Sequence, residues 1–135
     1  MNESSETTVH RFYELFRAGK MEEAAKQCIG EGFELVNPLP SPIPFGGRFE
    51  GVAGFLQYAS GLASEIEILV FSIDELISED EFVVAVGRER SRVIATGAEY
   101  EMEWVHIFRV VQDRVVSIRE YNDTAAMRDA YKPQS

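Results

Sequence analysis

Residues 99–123 read EYEMEWVHIFRVVQDRVVSIREYND, and this stretch decides the fold. Successive side chains of a strand point to opposite faces, so strict alternation marks a strand. Met102, Trp104, His106, Phe108 and Val110 fall on one face; Glu101, Glu103, Val105, Ile107 and Arg109 fall on the other. After a turn at Gln112-Asp113 the alternation resumes, with Val116, Ile118, Glu120 and Asn122 on one face and Ser117, Arg119, Tyr121 and Asp123 on the other. The stretch is therefore expected to form two long antiparallel strands. One face is aromatic yet carries a histidine, a glutamate and an asparagine. That mixture suits a ligand-sized pocket better than a sealed core.

The 135 residues are expected to form one domain, residues 1–135. Thirteen basic and twenty-three acidic residues give a net charge of −10. A DNA or RNA backbone and an anionic membrane both need clustered Lys and Arg, so neither partner is expected. The single cysteine, Cys28, excludes an intrachain disulfide and fits a reducing compartment. No stretch approaches the ~20 apolar residues of a membrane span. The polar start, Met1 to Glu6, does not read as a signal or transit peptide. A cytoplasmic protein is the expectation.

Outward from the hairpin, Val9, Phe12, Tyr13 and Phe16 make one stripe of an amphipathic helix, with Thr7 or Thr8 as its cap and Gly19 as its end. Met21, Ala24, Ala25 and Cys28 repeat the spacing in a second helix closing near Gly30, which makes Cys28 a small buried apolar residue. Phe33 to Asn37 reads as a short strand. Four prolines between Pro38 and Pro44 then forbid helix and ladder alike, so Pro38 to Gly51 reads as a loop, either a rim over the pocket or an inert connection. Val52, Phe55, Leu56, Ala59 and Ala63 form a third helical stripe. Ile66 to Ile77 and Phe82 to Ala95 are strands around a Ser78-Glu79-Asp80 turn, the second bulged near Gly87. Thr124 to Tyr131 is a short terminal helix or tail. Helices set against an antiparallel sheet make an α+β layer architecture.

Several segments in this order resemble the SnoaL-like and ketosteroid isomerase-like proteins of the nuclear transport factor 2-like superfamily. They are Val9-His10-Arg11-Phe12-Tyr13, Leu35-Val36-Asn37-Pro38, Gly46-Gly47-Arg48-Phe49-Glu50-Gly51, Trp104-Val105-His106-Ile107-Phe108, and Val115 to Thr124. The resemblance implies a cone-shaped α+β fold: a strongly curved, mostly antiparallel sheet with three helices covering its concave side. It also implies a deep pocket for a hydrophobic small molecule and a homodimer joined through the outer sheet face. Neither a cofactor nor a metal is expected; no second His, Cys or paired carboxylate stands at ligand spacing from His106.

The relatives differ in chemistry, and a fold does not fix a function. Ketosteroid isomerases use a carboxylate base, a tyrosine and a protonated aspartic acid. The positions resembling these hold Asn37, Phe12 and His106, with Tyr13 turned about 100° from Phe12 around the helix. An amide cannot act as the base, so that route is not expected. Limonene epoxide hydrolase uses two carboxylates bridged by an arginine. Glu120 resembles one carboxylate and Arg90 the arginine, but Arg92 falls where the second carboxylate belongs, unless Glu89 serves through a bulge. SnoaL-type cyclases drive an aldol closure with an acid/base residue in an apolar pocket. His106 fits that role, with Glu120 orienting it. Phe12, Asn37, Trp104, Phe108, Ile118 and Asn122 would then line the ligand.

The rest of the pattern has plainer readings. His10 belongs to the surface. Arg88, Arg90 and Arg92 alternate on one strand face and Glu99, Glu101 and Glu103 on the next, so they are expected to pair across the ladder. Val105, Ile107 and Tyr121 make an apolar patch on the outer face that a second copy, in a C2 dimer, would cover. Three functions stay open: a small isomerase, cyclase or hydrolase acting through His106 and Glu120, a non-catalytic ligand-binding protein, and a dimeric interaction module.

Overall fold

The computed structural model describes residues 2–133, and the side chains of residues 5–133. The deciding stretch forms β5 (Glu99–Val111) and β6 (Arg114–Asn122). Both turn residues between them, Gln112 (φ 51°) and Asp113 (φ 63°), adopt the left-handed conformation. A two-residue turn of that hand matches the twist of the strands it joins. Along β5 the inward residues Met102, Trp104, His106, Phe108 and Val110 are all buried.

The parity fails once, at the start of β6. Arg109 pairs with Ser117 but Val110 pairs with Val115, so Val116 is the extra residue of a bulge. Val115, not Val116, is the buried one. Beyond the bulge, Ile118 and Glu120 recover the expected face.

Around the hairpin the chain adds α1 (Asn2–Arg17), α2 (Met21–Cys28), β1 (Ile29–Asn37), β2 (Gly47–Glu50), α3 (Gly51–Glu65), β3 (Ile66–Glu79), β4 (Phe82–Val93) and α4 (Thr124–Tyr131). The strands form one curved, open sheet in the order β2-β1-β6-β5-β4-β3. Only β1 and β6 run parallel. The fold is α+β as expected, and the terminal segment Thr124–Tyr131, expected as a short helix or tail, is the helix α4. Asp123 caps α4 by accepting a hydrogen bond from the Ala126 amide at 3.1 Å.

Other boundaries moved for identifiable reasons. Thr7 and Thr8 do not cap α1, which starts at Asn2; the Thr8 hydroxyl instead donates to the Asp113 carbonyl at the hairpin turn. β1 begins at Ile29, four residues early, because Ile29 already pairs with Val115 before the register shifts at Glu34. Within the expected loop, Gly47–Glu50 pairs with Glu34–Asn37 as a short edge strand. The bulge expected in β4 at Gly87 lies across the ladder in β3, where Asp74 is the extra residue opposite Gly87 and Val86.

The outer face of β4 and β5 carries the charges. The registers Arg88↔Glu103, Arg90↔Glu101 and Arg92↔Glu99 are the anticipated ones. Arg90 bonds Glu99 at 2.9 Å, Arg92 bonds Glu67 at 2.5 Å, and Arg88 turns to Asp74 at 2.9 Å. Arg90 is thus committed to the outer face and is no part of the interior.

Candidate active site

Register sets the first contact. His106 of β5 pairs directly with Glu120 of β6, and Trp104 with Asn122, so four polar or aromatic groups project to the concave side in two adjacent rows. α1 lies over these rows and contributes Phe12 and Tyr13, both buried. α3 contributes Tyr58, and the end of β1 contributes Asn37.

Hydrogen bonds tie these groups into one network. The Tyr13 hydroxyl lies 2.7 Å from His106 Nδ1. His106 Nε2 lies 3.5 Å from Glu120 Oε1, a contact longer than a strong hydrogen bond. The same Oε1 accepts from the Tyr58 hydroxyl at 3.0 Å and from Asn37 Nδ2 at 3.3 Å. Asn37 Nδ2 also donates to the Tyr58 oxygen at 3.1 Å, and its Oδ1 accepts from Asn122 Nδ2 at 3.1 Å. Asn37 therefore braces the carboxylate and cannot replace it as a base.

Burial sets the charges. It raises Glu120 from the ordinary 4.5 to about 7, opposed by the Tyr58 hydrogen bond and helped a little by the charge of Glu89. It lowers His106 from 6.5 to about 3, so the imidazole is neutral at pH 7. Of the two, Glu120 is therefore the group whose charge changes near pH 7. Tyr13 and Tyr58 are held as phenols, pushed well above 10 by burial and then by the Glu120 charge. Beside an ionised Glu120, the proton of a neutral imidazole belongs on Nε2. Nδ1 is then the acceptor and Tyr13 the donor, which fixes the tautomer.

This network borders a cavity open to the centres of water-sized molecules over about 50 Å³. That is room for a few waters, since one needs roughly 10–15 Å³ of such space. A larger guest requires its aromatic walls to part. Among the expected site residues, His106, Glu120, Phe12, Asn37, Phe108, Ile118 and Asn122 all line this cavity. Trp104 does not. It is only 1% exposed, stacked between Phe71 (4.9 Å between ring centres) and His106 (4.0 Å), and is corrected from ligand contact to the packing behind the imidazole. The proline-rich loop supplies Phe45 to the wall, which favours the rim over the inert connection.

Tyr13, Tyr58, Tyr100 and Glu89 also line the cavity, and the expected site left them out. Tyr58 shares the α3 stripe with Phe55 and Ala59, so spacing could have found it. Tyr13 was within reach of the same argument: adjacent positions on α1 both face a wide concave sheet. Among the described residues, no group of three or more His, Cys, Asp or Glu is placed to hold a metal ion.

Comparison with known proteins agrees with this fold. No curated protein matches the sequence significantly. An NTF2-like protein from Burkholderia xenovorans is 25% identical, with a TM-score of 0.85 and 98% of both chains covered. A candidate isomerase from Bacillus subtilis is 23% identical, with a TM-score of 0.80, covering 97% of this chain and 96% of its own. TerC, crystallised with polyporic acid, is 18% identical, with a TM-score of 0.81, covering 94% of this chain and 97% of its own. The SnoaL-like domain pattern matches residues 9–118, from the first helix to the middle of β6. The chain therefore belongs to the SnoaL-like domain family.

Proposed function

We propose that this protein is a cofactor-independent enzyme that moves a proton on a hydrophobic carbonyl compound, with Glu120 as the base. The observation that carries this reading is the largely buried Glu120 carboxylate on the wall of a mostly apolar cavity, held through Oε1 by Tyr58 and Asn37 beside His106. Burial raises its pKa to about 7 and keeps the histidine neutral. A base poised near the working pH balances availability against driving force. Glu120 takes a proton from the carbon next to a carbonyl. The C–H electron pair moves onto the carbonyl oxygen as an enolate. Once protonated, Glu120 no longer needs the donors gathered on its Oε1. The Tyr58 hydroxyl and His106 Nε2–H are then the donors nearest the new charge. Tyr13 holds His106 in the required tautomer from the far nitrogen. Return of the proton to another carbon gives isomerisation; attack of the enolate carbon on a second carbonyl closes a ring, and the alkoxide so formed takes the proton back from Glu120. The Bacillus subtilis neighbour named as a candidate isomerase supports the first outcome.

The test is solvent exchange. 2-Tetralone, a bicyclic ketone with acidic α-hydrogens, is incubated with the protein in deuterium oxide and followed by NMR. Exchange above the buffer rate, reduced at least a hundredfold in Glu120→Gln and unchanged in Glu101→Gln on the outer face, is expected. Stabilisation by the ketone without exchange would leave a binding protein, the second reading, which the narrow and mostly apolar cavity also suits.

The outer sheet face carries the proposed dimer contact. Val86, Val105 and Tyr121 are neighbours in one row across β4, β5 and β6, with Val84 and Ile107 in the next row. Tyr121 is 45% exposed. An apolar row in the middle of a sheet is well covered by a second copy of itself. No helix among the described residues is long and apolar enough to cross a membrane. The buried Cys28 and acidic surface fit a cytoplasmic protein, and that location is part of the proposal.

A further inference from the structure

Glu89 forms a second polar pole of the same cavity, and the chemistry above does not use it. It projects inward from β4 and lines the cavity. Its Oε2 accepts from Ser91 Oγ at 2.6 Å and from the Tyr100 hydroxyl at 3.0 Å. Its Oε1 has no hydrogen-bond donor among the described residues. Glu120 is built the same way: a tyrosine hydroxyl at 3.0 Å holds Oε1, and Oε2 has no donor among the described residues. Each carboxylate is thus clamped through one oxygen, with the other left over.

The two poles are apart. Glu89 pairs with Met102 of β5, and Glu120 pairs with His106 of the same strand. Four residues of strand separate those rows, about 13 Å along β5. They come from β4 and β6, on opposite sides of β5, and both line the cavity. Among the described residues, no lysine or arginine lines the cavity. An anion bound there would lose its hydration beside two carboxyl groups with no counter-charge, which is costly.

We infer that Glu89 is a specificity-determining residue, and that the ligand is a neutral, flat, multi-ring molecule with a hydroxyl donor at each end rather than an organic acid. This deepens the pocket reading above and rests on it. One donor meets the open oxygen of Glu120 and the other that of Glu89. Tyr100 and Ser91 are positioning residues that aim the Glu89 carboxylate.

Three two-ring probes test this by titration at pH 8, where the phenols remain neutral: 2,6-dihydroxynaphthalene, 2-naphthol and 6-hydroxy-2-naphthoate. Wild-type protein is expected to bind the diol about tenfold tighter than the mono-ol, the worth of one added hydrogen bond. The acid is expected to bind at least tenfold more weakly than the mono-ol. In Glu89→Gln, whose amide oxygen still accepts from Tyr100 and Ser91, the diol should fall to the level of the mono-ol while the mono-ol itself is unchanged. Equal binding of diol and mono-ol by the wild type, or a diol preference that survives Glu89→Gln, overturns the second pole and leaves the pocket. Binding of the acid as tight as the diol overturns the charge argument. Failure of all three probes to bind removes the pocket reading itself.

Discussion

The Tyr13 hydroxyl sits 2.7 Å from Nδ1 of His106, joining α1 to the centre of β5 across 93 residues of sequence. The two rings also lie nearly parallel, 6.0 Å apart with 18° between planes. With the Glu120 carboxylate against Nε2, this contact occupies Nδ1 and helps hold the imidazole proton on Nε2. In Tyr13→Phe the buried Nδ1 loses its donor at little change in shape. Leaving a buried acceptor unpaired costs roughly 1–3 kcal/mol, to be read from urea unfolding. Nitrogen NMR of the imidazole should show the Nε2–H form in the wild type and a mixture in the variant. An unmixed spectrum would mean that Tyr13 does not set the tautomer.

Glu120 and His106 give stability opposite pH slopes. Between pH 4.5 and about 7 the folded chain keeps a proton on Glu120 that the unfolded chain releases, so stability falls as pH rises through that range. Between about 3 and 6.5 the unfolded chain protonates the histidine while the folded chain does not, so stability is lost as pH falls. The two nearly cancel from 4.5 to 6.5. Above 6.5 only Glu120 is left, and the wild type should weaken toward pH 8. Glu120→Gln should flatten that limb and extend the acid limb, now unopposed, up to about pH 6.5. The whole Glu120 contribution is about 3 kcal/mol, most of it masked by His106 below pH 6.5. Urea midpoints taken every half pH unit check both limbs.

The alternation in β5 was readable because only one face of that strand is covered, and a one-residue error would have exposed Trp104 and Phe108. That parity carried His106 into the interior, and the β6 parity carried Glu120 beside it. Asn37 and Phe12 came through family likeness. Spacing could have put Tyr58 on the inner face of α3, but not its role; only its hydroxyl partner, 62 residues away, makes it polar machinery. The ionisation states were not readable at all. Whether His106 or Glu120 titrates depends on burial, which no spacing encodes. Trp104 was misplaced because parity gives a face but not a depth. The β2 strand was hidden by Gly46-Gly47, a pair that reads as loop and here begins an edge strand at Gly47.

Two glycines should respond in opposite directions. A Cβ on Gly87 would lie 2.2 Å from the Ser72 carbonyl oxygen and 2.3 Å from Trp104 Cζ2. Neither can yield, since one is backbone and the other is stacked on His106. Gly87→Ala should cost about 1–3 kcal/mol through overpacking and shift the Trp104 emission. Gly61, inside α3, has no neighbour closer than Phe45 Cβ at 3.8 Å. Gly61→Ala should stabilise the fold by roughly 0.5–1 kcal/mol, because alanine loses less backbone freedom in a helix. Thermal melts of the two variants beside the wild type check both signs.

Val105 stands between Val86 and Tyr121 on the outer face, with Ile107 two residues along the same strand. A charge at Val105 would sit in the middle of the proposed contact between copies, whereas Arg90→Ala would remove only an exposed ion pair. An interfacial charge without a partner costs several kcal/mol at each of two symmetric positions. The exposed pair at Arg90 is worth at most ~1 kcal/mol. Light scattering should therefore give twice the 15.2 kDa chain mass for the wild type and for Arg90→Ala. Val105→Asp should give the single chain mass with its helix and strand content unchanged by circular dichroism. A wild type that runs as a single chain at micromolar concentration would remove the dimer, and the apolar row would then need a different partner.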